Sequence, residues 1–379
     1  MRPRGSGDNA LPYRRIVVKA GTNLLTAGTD RIDGGTLAGL AAQLAELRAR
    51  GCELILVTSG AIHAGRERLR SLPGGGGLAS RQALAAVGQS RLMSLWDEVF
   101  EAHGIPVAQA LLTRRDLADR LGYLNARNTL LTLLDLRVIP VVNENDVVAV
   151  DEISDSVIGD NDNLSALVAN LVDADLLLLL SDVDGLYDAD PATHPDARVI
   201  PLVEAVDAGI EAAAGAAGSL GTGGMVTKLQ AARVATSSGT HVLLAHGLEP
   251  DIVLRAAGGE AVGTHFLPRG DRVESRRRFL LSGLPVRGRI LVDGGAARAI
   301  STGGSSLLPA GIVAVDGAFE RGDVIQVVDA DGRHIASGTA NYSAVDVERI
   351  RGQRSDRIAT ALGYEFGDEV VHRNNLVLV

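Results

Sequence analysis

Residues 14–25, RRIVVKAGTNLL, set the reading of the whole chain. Residues 14–19 are a short β-branched run that ends in Ala20-Gly21-Thr22, the pattern of a strand entering a turn. ELILVTSGAIHAG (53–65) repeats the strand–turn–helix theme, and TLAGLAAQLAELRARG (36–51) between them spaces Leu and Ala helically and ends at Gly51, a C-cap. Further along, IPVAQALL (105–112), VIPVVNEND (138–146), ADLLLLLSDVDGLY (174–187) and HVLLAHG (241–247) read as strands. Helical patterns cover 78–103, 119–136, 163–172, 225–239 and 249–259, with a break expected at Gly88. Strands alternating with helices imply an α/β fold with a mostly parallel sheet covered on both faces. Ligands of such sheets bind at the carboxyl ends of the strands. That rule gathers residues 19–21, 59–60, 143–146 and 181–182 along one edge.

The pattern changes after an arginine-rich linker at 269–283. RILV, IVAV, DVIQVVD and HIASGTA are short strands separated by Gly and Asp turns, so 284–379 reads as a small β-rich domain behind a first domain at 14–268. Residues 1–13 are polar, lack the apolar centre of a signal peptide, and read as a disordered extension. A chain of 379 residues, 46% apolar and 22% charged, has the size for two soluble domains. Its longest apolar run, around 176–180, is far shorter than a membrane span. Cys52, the single cysteine, excludes an internal disulfide, fits a reducing cytoplasm and reads as a buried thiol. No H-E-x-x-H and no Cys/His cluster appear, which excludes the usual structural zinc patterns. A net charge of −9 argues against general nucleic-acid affinity, and 284–379 sets ten arginines against twelve acidic residues where an RNA-binding stripe would show a basic excess.

GTGGMVTK (221–228) has the composition of a phosphate loop but not the P-loop order, since Thr227 precedes Lys228 and Leu229 follows it. Of the chain's 37 basic residues only Lys19 and Lys228 are lysine, and each sits in a glycine-flanked motif. A compact ammonium can stand as a point charge between oxygens where a planar guanidinium cannot. Glycine lets backbone N–H groups approach a phosphate, and the second motif opens a helix whose N-terminus favours anions. An ordinary glycine turn is the alternative for either motif alone. In VTSGA (57–61), Ser59 and Gly60 form a turn suited to a carboxylate, or a plain N-cap. NEND (143–146) and GDNDN (159–163) suit an ammonium group, a Mg²⁺ shell, or helix caps and turns. No general base is evident. A hydroxyl acceptor would need one; a carboxylate, with a pKa of about 4.3, would not. The residues point to phosphoryl transfer from ATP to the carboxylate of an amino-acid-like substrate.

VVKAGTNLLT, LVTSGAI, AAVGQSRLMSLW, YLNARNTL, VVNENDVV, GDNDNLSAL, GTGGMVTKLQAA and GSSLLPAGI lie in the order found in the amino-acid kinase family, and across nearly the whole chain they resemble its glutamate 5-kinase branch. GSSLLPAGI and FERGDVI resemble a PUA domain. The resemblance implies a three-layer α/β/α sandwich with a PUA-like C-terminal domain. It implies the reaction ATP + L-glutamate → ADP + γ-glutamyl phosphate, first step toward proline, in the cytoplasm. Lys19 and Lys228 would stabilise charge on the transferring phosphoryl group and Asp162 would orient them. Ser59, Gly60, Asn143, Asp146, Asp160 and Asn161 would hold glutamate. Gly21, Ser181 (where the family's pattern has threonine) and Asp182 would line the ATP site. Thr222, Gly223, Gly224, Met225, Val226 and Thr227 would join them there, with both lysines, and Mg²⁺ would ride on the phosphates. Feedback inhibition by proline, a dimeric or tetrameric assembly and association with the next enzyme of the pathway are further implications. Aspartate, acetylglutamate and uridylate kinases are the rivals within the family, and the paired acidic motifs and the C-terminal domain favour glutamate.

Overall fold

The computed structural model describes residues 11–69, 77–149, 161–191, 193–207, 209–211, 224–269 and 285–379. The chain divides into two compact units, Met1–Asp271 and Arg272–Val379.

In the first unit, β1 (Arg15–Ala20), α1 (Thr22–Leu25), α2 (Gly34–Ala49), β2 (Glu53–Thr58), α3 (Ala61–Leu69) and α4 (Leu78–Glu101) come first. They are followed by β3 (Val107–Leu112), α5 (Arg114–Ala118), α6 (Arg120–Asp135), β4 (Ile139–Glu144), α7 (Asn161–Leu171) and β5 (Leu176–Ser181). Then come β6 (Leu202–Val203), α8 (Gly224–Ser237), β7 (His241–His246), α9 (Ile252–Ala257) and β8 (Thr264–Phe266). The sheet order is β3-β4-β2-β1-β5-β7-β8-β6, parallel from β3 through β7, with β8 antiparallel to β7.

Side chains alternate across a strand, and here both faces are buried. Ile16, Val18, Leu54, Leu56, Leu176 and Leu178 share one core layer with Leu37 and Leu44 of α2, Trp96 and Phe100 of α4 and Ile252 of α9. Val17, Ile55, Val57, Leu177 and Leu179 share the other with Leu130 of α6, Leu164 of α7 and Leu229 of α8. Two covered faces explain the unbroken leucine run of β5. The same alternation puts Lys19, two residues after Val17, on the α7/α8 face at the end of its strand.

Three expectations change. Gly88 does not interrupt α4, which runs unbroken from Leu78 to Glu101. The glycine serves packing instead. A Cβ there would fall 2.9 Å from the Ala61 carbonyl carbon and closer still to its oxygen. Gly65 of α3 meets Leu84 of α4 in the same way, so two glycines let the helix backbones touch. The extension expected over 1–13 is shorter at its inner end, because Tyr13 is buried against the first core layer, its ring 5.4 Å from that of His241. The short strands β6 and β8, too brief to show a period, were not foreseen. Gly51 sits just past the end of α2 at φ +94°, the left-handed position a helix stop favours. Cys52 is buried, and burial pushes its thiol pKa up. The linker from 270 and the stretch 150–160 lie outside the described residues. No helix among the described residues is long and apolar enough to cross a membrane.

The second unit holds a sheet of order β10-β9-β11-β12-β13 built from β9 (Gly288–Val292), β10 (Ile312–Gly317), β11 (Val324–Val328), β12 (His334–Thr339) and β13 (Leu376–Leu378). Helices α10 (Gly294–Gly303), α11 (Ala344–Ile350) and α12 (Ile358–Leu362) accompany it, and Ile290, Ile325, Val327, Tyr342 and Val371 form its own core. Four of these strands were read from the sequence; β13 and the helices were not.

Candidate active site

The parallel strands β4, β2, β1 and β5 are neighbours, so their carboxyl ends at Glu144, Thr58, Ala20 and Ser181 form one continuous rim. At its centre Lys19 Nζ lies 2.6 Å from Asp162 Oδ1, while Lys228 Nζ stands 3.3 Å from Asp162 Oδ2. Thr227 donates its hydroxyl to the same Oδ2 at 2.8 Å, and Lys228 Nζ donates to the Gly224 carbonyl at 3.0 Å. Asp162 comes from the first turn of α7; Thr227 and Lys228 come from the first turns of α8. Burial raises the Asp162 carboxyl pKa, but the Lys19 and Lys228 ammoniums and the Thr227 hydroxyl outweigh it and hold the group below the usual carboxylate range. Lys19 is enclosed, and burial pushes its ammonium down against the pull of Asp162. One carboxylate thus bridges two ammoniums in a dry place, and the Asp182 charge acts on both lysines from further off. Gly21 borders it closely: a Cβ there would meet Lys19 Nζ at 2.9 Å.

Asp182, exposed to solvent, stands at the β5 end of the rim. Asn23 donates to its Oδ2 at 2.9 Å and Ser181 to its Oδ1 at 3.1 Å. Desolvation raises its pKa, but these donors and the Lys228 charge bring it below the ordinary value.

On the β2/β4 side a cavity of about 330 Å³ opens, bounded by Ser59, Gly60, Asn143, Asp146 and Asn161. Asn161 Nδ2 donates to the Thr58 carbonyl at 3.1 Å, Ser59 Oγ at 2.8 Å and Asn143 Oδ1 at 3.1 Å. Asn143 in turn donates to Gln89 of α4 at 2.8 Å. The Asn161 amide nitrogen is fully committed, and its Oδ1 is buried with no partner among the described residues. Such an acceptor costs about 1–3 kcal/mol unless a ligand supplies a donor. Gly60 takes φ +103°, open only to glycine, which bares its backbone at the cavity floor.

The sequence-derived positions that are described are not equally close to this chemistry. Lys19, Thr227 and Lys228 all meet Asp162, and Gly224 contributes its carbonyl to Lys228. Met225 packs partly into the second core layer, and Val226 is 47% exposed. Asp160, Thr222 and Gly223 lie outside the described residues. Asn23 and Gln89 were missed as partners, although both stand inside motifs quoted for the family. His63, Arg66, Arg81 and Gln82 also border the cavity and were missed altogether, because nothing in the sequence ties α3 and the start of α4 to the strand ends.

The amino acid kinase family matches residues 14–246, and the PUA domain family matches 288–362. A glutamate 5-kinase of Dehalococcoides mccartyi is 52% identical over 370 residues, covering 97% of this chain and 99% of its own. Glutamate 5-kinases of Herpetosiphon aurantiacus and Deinococcus radiodurans are 52% and 51% identical over 366 residues, each covering 96% of this chain and 98% and 100% of their own. With the family matched across the first unit and relatives matched end to end, this chain belongs to the amino acid kinase family, in its glutamate 5-kinase branch with a C-terminal PUA domain.

Proposed function

We propose that the chain transfers the γ-phosphoryl group of ATP to the γ-carboxylate of L-glutamate, giving L-glutamyl 5-phosphate, the first step of proline biosynthesis. One observation carries the reading: Asn161 and Asp162 are consecutive at the start of α7, one bordering the cavity and the other gripping both lysines. An acceptor held at Ser59, Gly60 and Asn161 thus ends beside the two ammoniums. A γ-carboxylate oxygen attacks the γ-phosphorus, the bond to the β,γ-bridging oxygen breaks, and ADP leaves with that electron pair. The carboxylate is already ionised at neutral pH, so no base is needed. Lys19 and Lys228 offset charge spread over the transferring oxygens, and Asp162 fixes both ammoniums. The loop 222–228, with Gly21, Ser181 and Asp182, holds the nucleotide. Two ammoniums converging on one carboxylate suit a polyphosphate better than a protein-held cation, so Mg²⁺ is carried by ATP. Proline acts as a feedback inhibitor, and the enzyme works as a cytoplasmic homo-oligomer, dimer or tetramer, that associates with the next enzyme of the pathway.

Acyl-phosphate formation trapped with hydroxylamine tests the reaction. Hydroxamate is expected with L-glutamate, ATP and Mg²⁺, and not with aspartate or acetylglutamate. Product with either of those alone would discard glutamate as the acceptor.

A further inference from the structure

The cavity is bipolar. Glu144 and Asp146 border it from the end of β4, while Arg66 of α3 and Arg81 of α4 border it as cations, with His63 one turn before Arg66. Neither arginine has an ion pair or a side-chain hydrogen bond among the described residues. Where an acid stands near, arginines of this chain pair with it, as Arg15 does with Glu53 and Arg255 with Glu249. Arg81 is half-buried, where an unpaired guanidinium is screened less than at the open surface. Burial and the Arg66 charge push the His63 pKa down, so the imidazole stays neutral and adds a hydrogen-bonding group without a third charge.

The cations are also held in register with the acids. Gln82, next to Arg81, donates its amide to the Val147 carbonyl at 3.1 Å and ties the first turn of α4 to the turn after β4. Gly65 and Gly88 lock α3 to α4. The helix α4 starts at Gly77 without a side-chain cap, which leaves its positive end open to an anion.

Resting on glutamate as the acceptor, the geometry points to Arg81, assisted by Arg66, as the anchor of the substrate's α-carboxylate and so as the determinant that selects an α-amino acid. The γ-carboxylate must lie at the Asn161–Asp162 end, where the lysines are. The α-ammonium goes to the acidic end at Asp146 and Glu144. The α-carboxylate is then the one charge left without a partner, and Arg81 and Arg66 are the cavity's cations without one among the described residues. Arginine's planar fork suits a carboxylate bidentately, which gives direction as well as charge.

The test pairs the substrate's carboxylate with the protein's cation. L-Glutamate and its α-amide, which differ in that one charge, are assayed by hydroxylamine trapping with the unaltered chain, Arg81→Met, Arg66→Met and Arg81→Lys. The unaltered chain should prefer glutamate by roughly 10- to 100-fold in kcat/KM, the range expected for a hydrogen bond between charged groups. Arg81→Met should lose most of that preference through a higher KM for glutamate, leave the α-amide nearly unaffected and keep its KM for ATP. Arg81→Lys should regain part of the preference. Equal losses with both acceptors, or none, in Arg81→Met and Arg66→Met would overturn the assignment while leaving glutamate as the acceptor. If Arg81→Met fails to melt cooperatively, Arg66→Met, at an exposed position, carries the same comparison. No hydroxamate from glutamate with the unaltered chain would withdraw both readings.

Discussion

Replacing Gly88 by alanine sets two effects of opposite sign against each other. Helix propensity alone favours alanine in a helix interior by about 1 kcal/mol, and Gly88 lies in the middle of a 24-residue helix. Against that stands the contact with α3. The added methyl would come within 2.9 Å of the Ala61 carbonyl carbon and closer to its oxygen, and both are backbone atoms that no rotamer change can move. The helices would have to separate by on the order of 1 Å, an overpacking that typically costs 1–3 kcal/mol. The same separation would undo the matching contact at Gly65. We expect Gly88→Ala to be less stable by up to about 2 kcal/mol after the propensity gain is subtracted. Function should suffer more. Ala61 follows Ser59 and Gly60 directly, and the next residue of α4 is Gln89, which holds Asn143. A displacement of about 1 Å in a reacting geometry can cost roughly 100-fold in rate. Urea denaturation with unchanged m-value, together with hydroxamate formation, measures both. An alanine variant as stable as the parent or more so, with undiminished turnover, would refute the packing role and leave Gly88 as an ordinary helical residue.

Lys228→Arg should keep the fold, as judged by an unchanged circular dichroism spectrum, and lose turnover by orders of magnitude; near-normal hydroxamate formation would remove Lys228 from the chemistry. His265 should give a pH signature in stability. Its ring nitrogen lies 3.0 Å from that of His241, and burial pushes its pKa below the ordinary 6.5. The unfolded chain then takes up the proton more readily than the folded one, so stability falls as pH drops through 6.5 and continues to fall towards the folded value. Melting temperatures between pH 7.5 and 5.5 should decline more steeply for the unaltered chain than for His265→Gln, and parallel curves would contradict the assignment.

The parallel sheet was legible because strands buried on both faces must be apolar without interruption, and residues 176–180 are. The rim was legible for a related reason. Topology sends every turn after a parallel strand to the same edge, so motifs far apart in sequence could be assigned to one site without knowing any side-chain position. What remained hidden was set by contacts between helices. Gly88 reads as a weak point by propensity, and only the surface of α3 shows it to be a packing point. Arg66 and Arg81 look like solvated charges on helices, and they border the cavity only because Gly65 and Gly88 press those helices together. The two-residue β6 carries too few side chains to display any period, and β8 gains its place by pairing with β7, which no local signal announces.

The near-absence of lysine from the chain finds its physical counterpart at Asp162. Its two oxygens are taken separately, Oδ1 by Lys19 and Oδ2 by Lys228 and Thr227. An ammonium occupies one oxygen and keeps further donors to offer. A guanidinium takes both oxygens of a carboxylate at once, as a fork that would leave the second cation with nothing to hold it. With arginine at 19 or 228, Asp162 would be saturated by one partner and the other cation displaced. Gly21, which has no room for a Cβ beside Lys19 Nζ, marks how little space that position allows. Lys19 and Lys228 converge on Asp162, while Asp182 acts on both ammoniums from further off. A site that sets two cations on one buried carboxylate is a physical reason for lysine rather than arginine at these two positions.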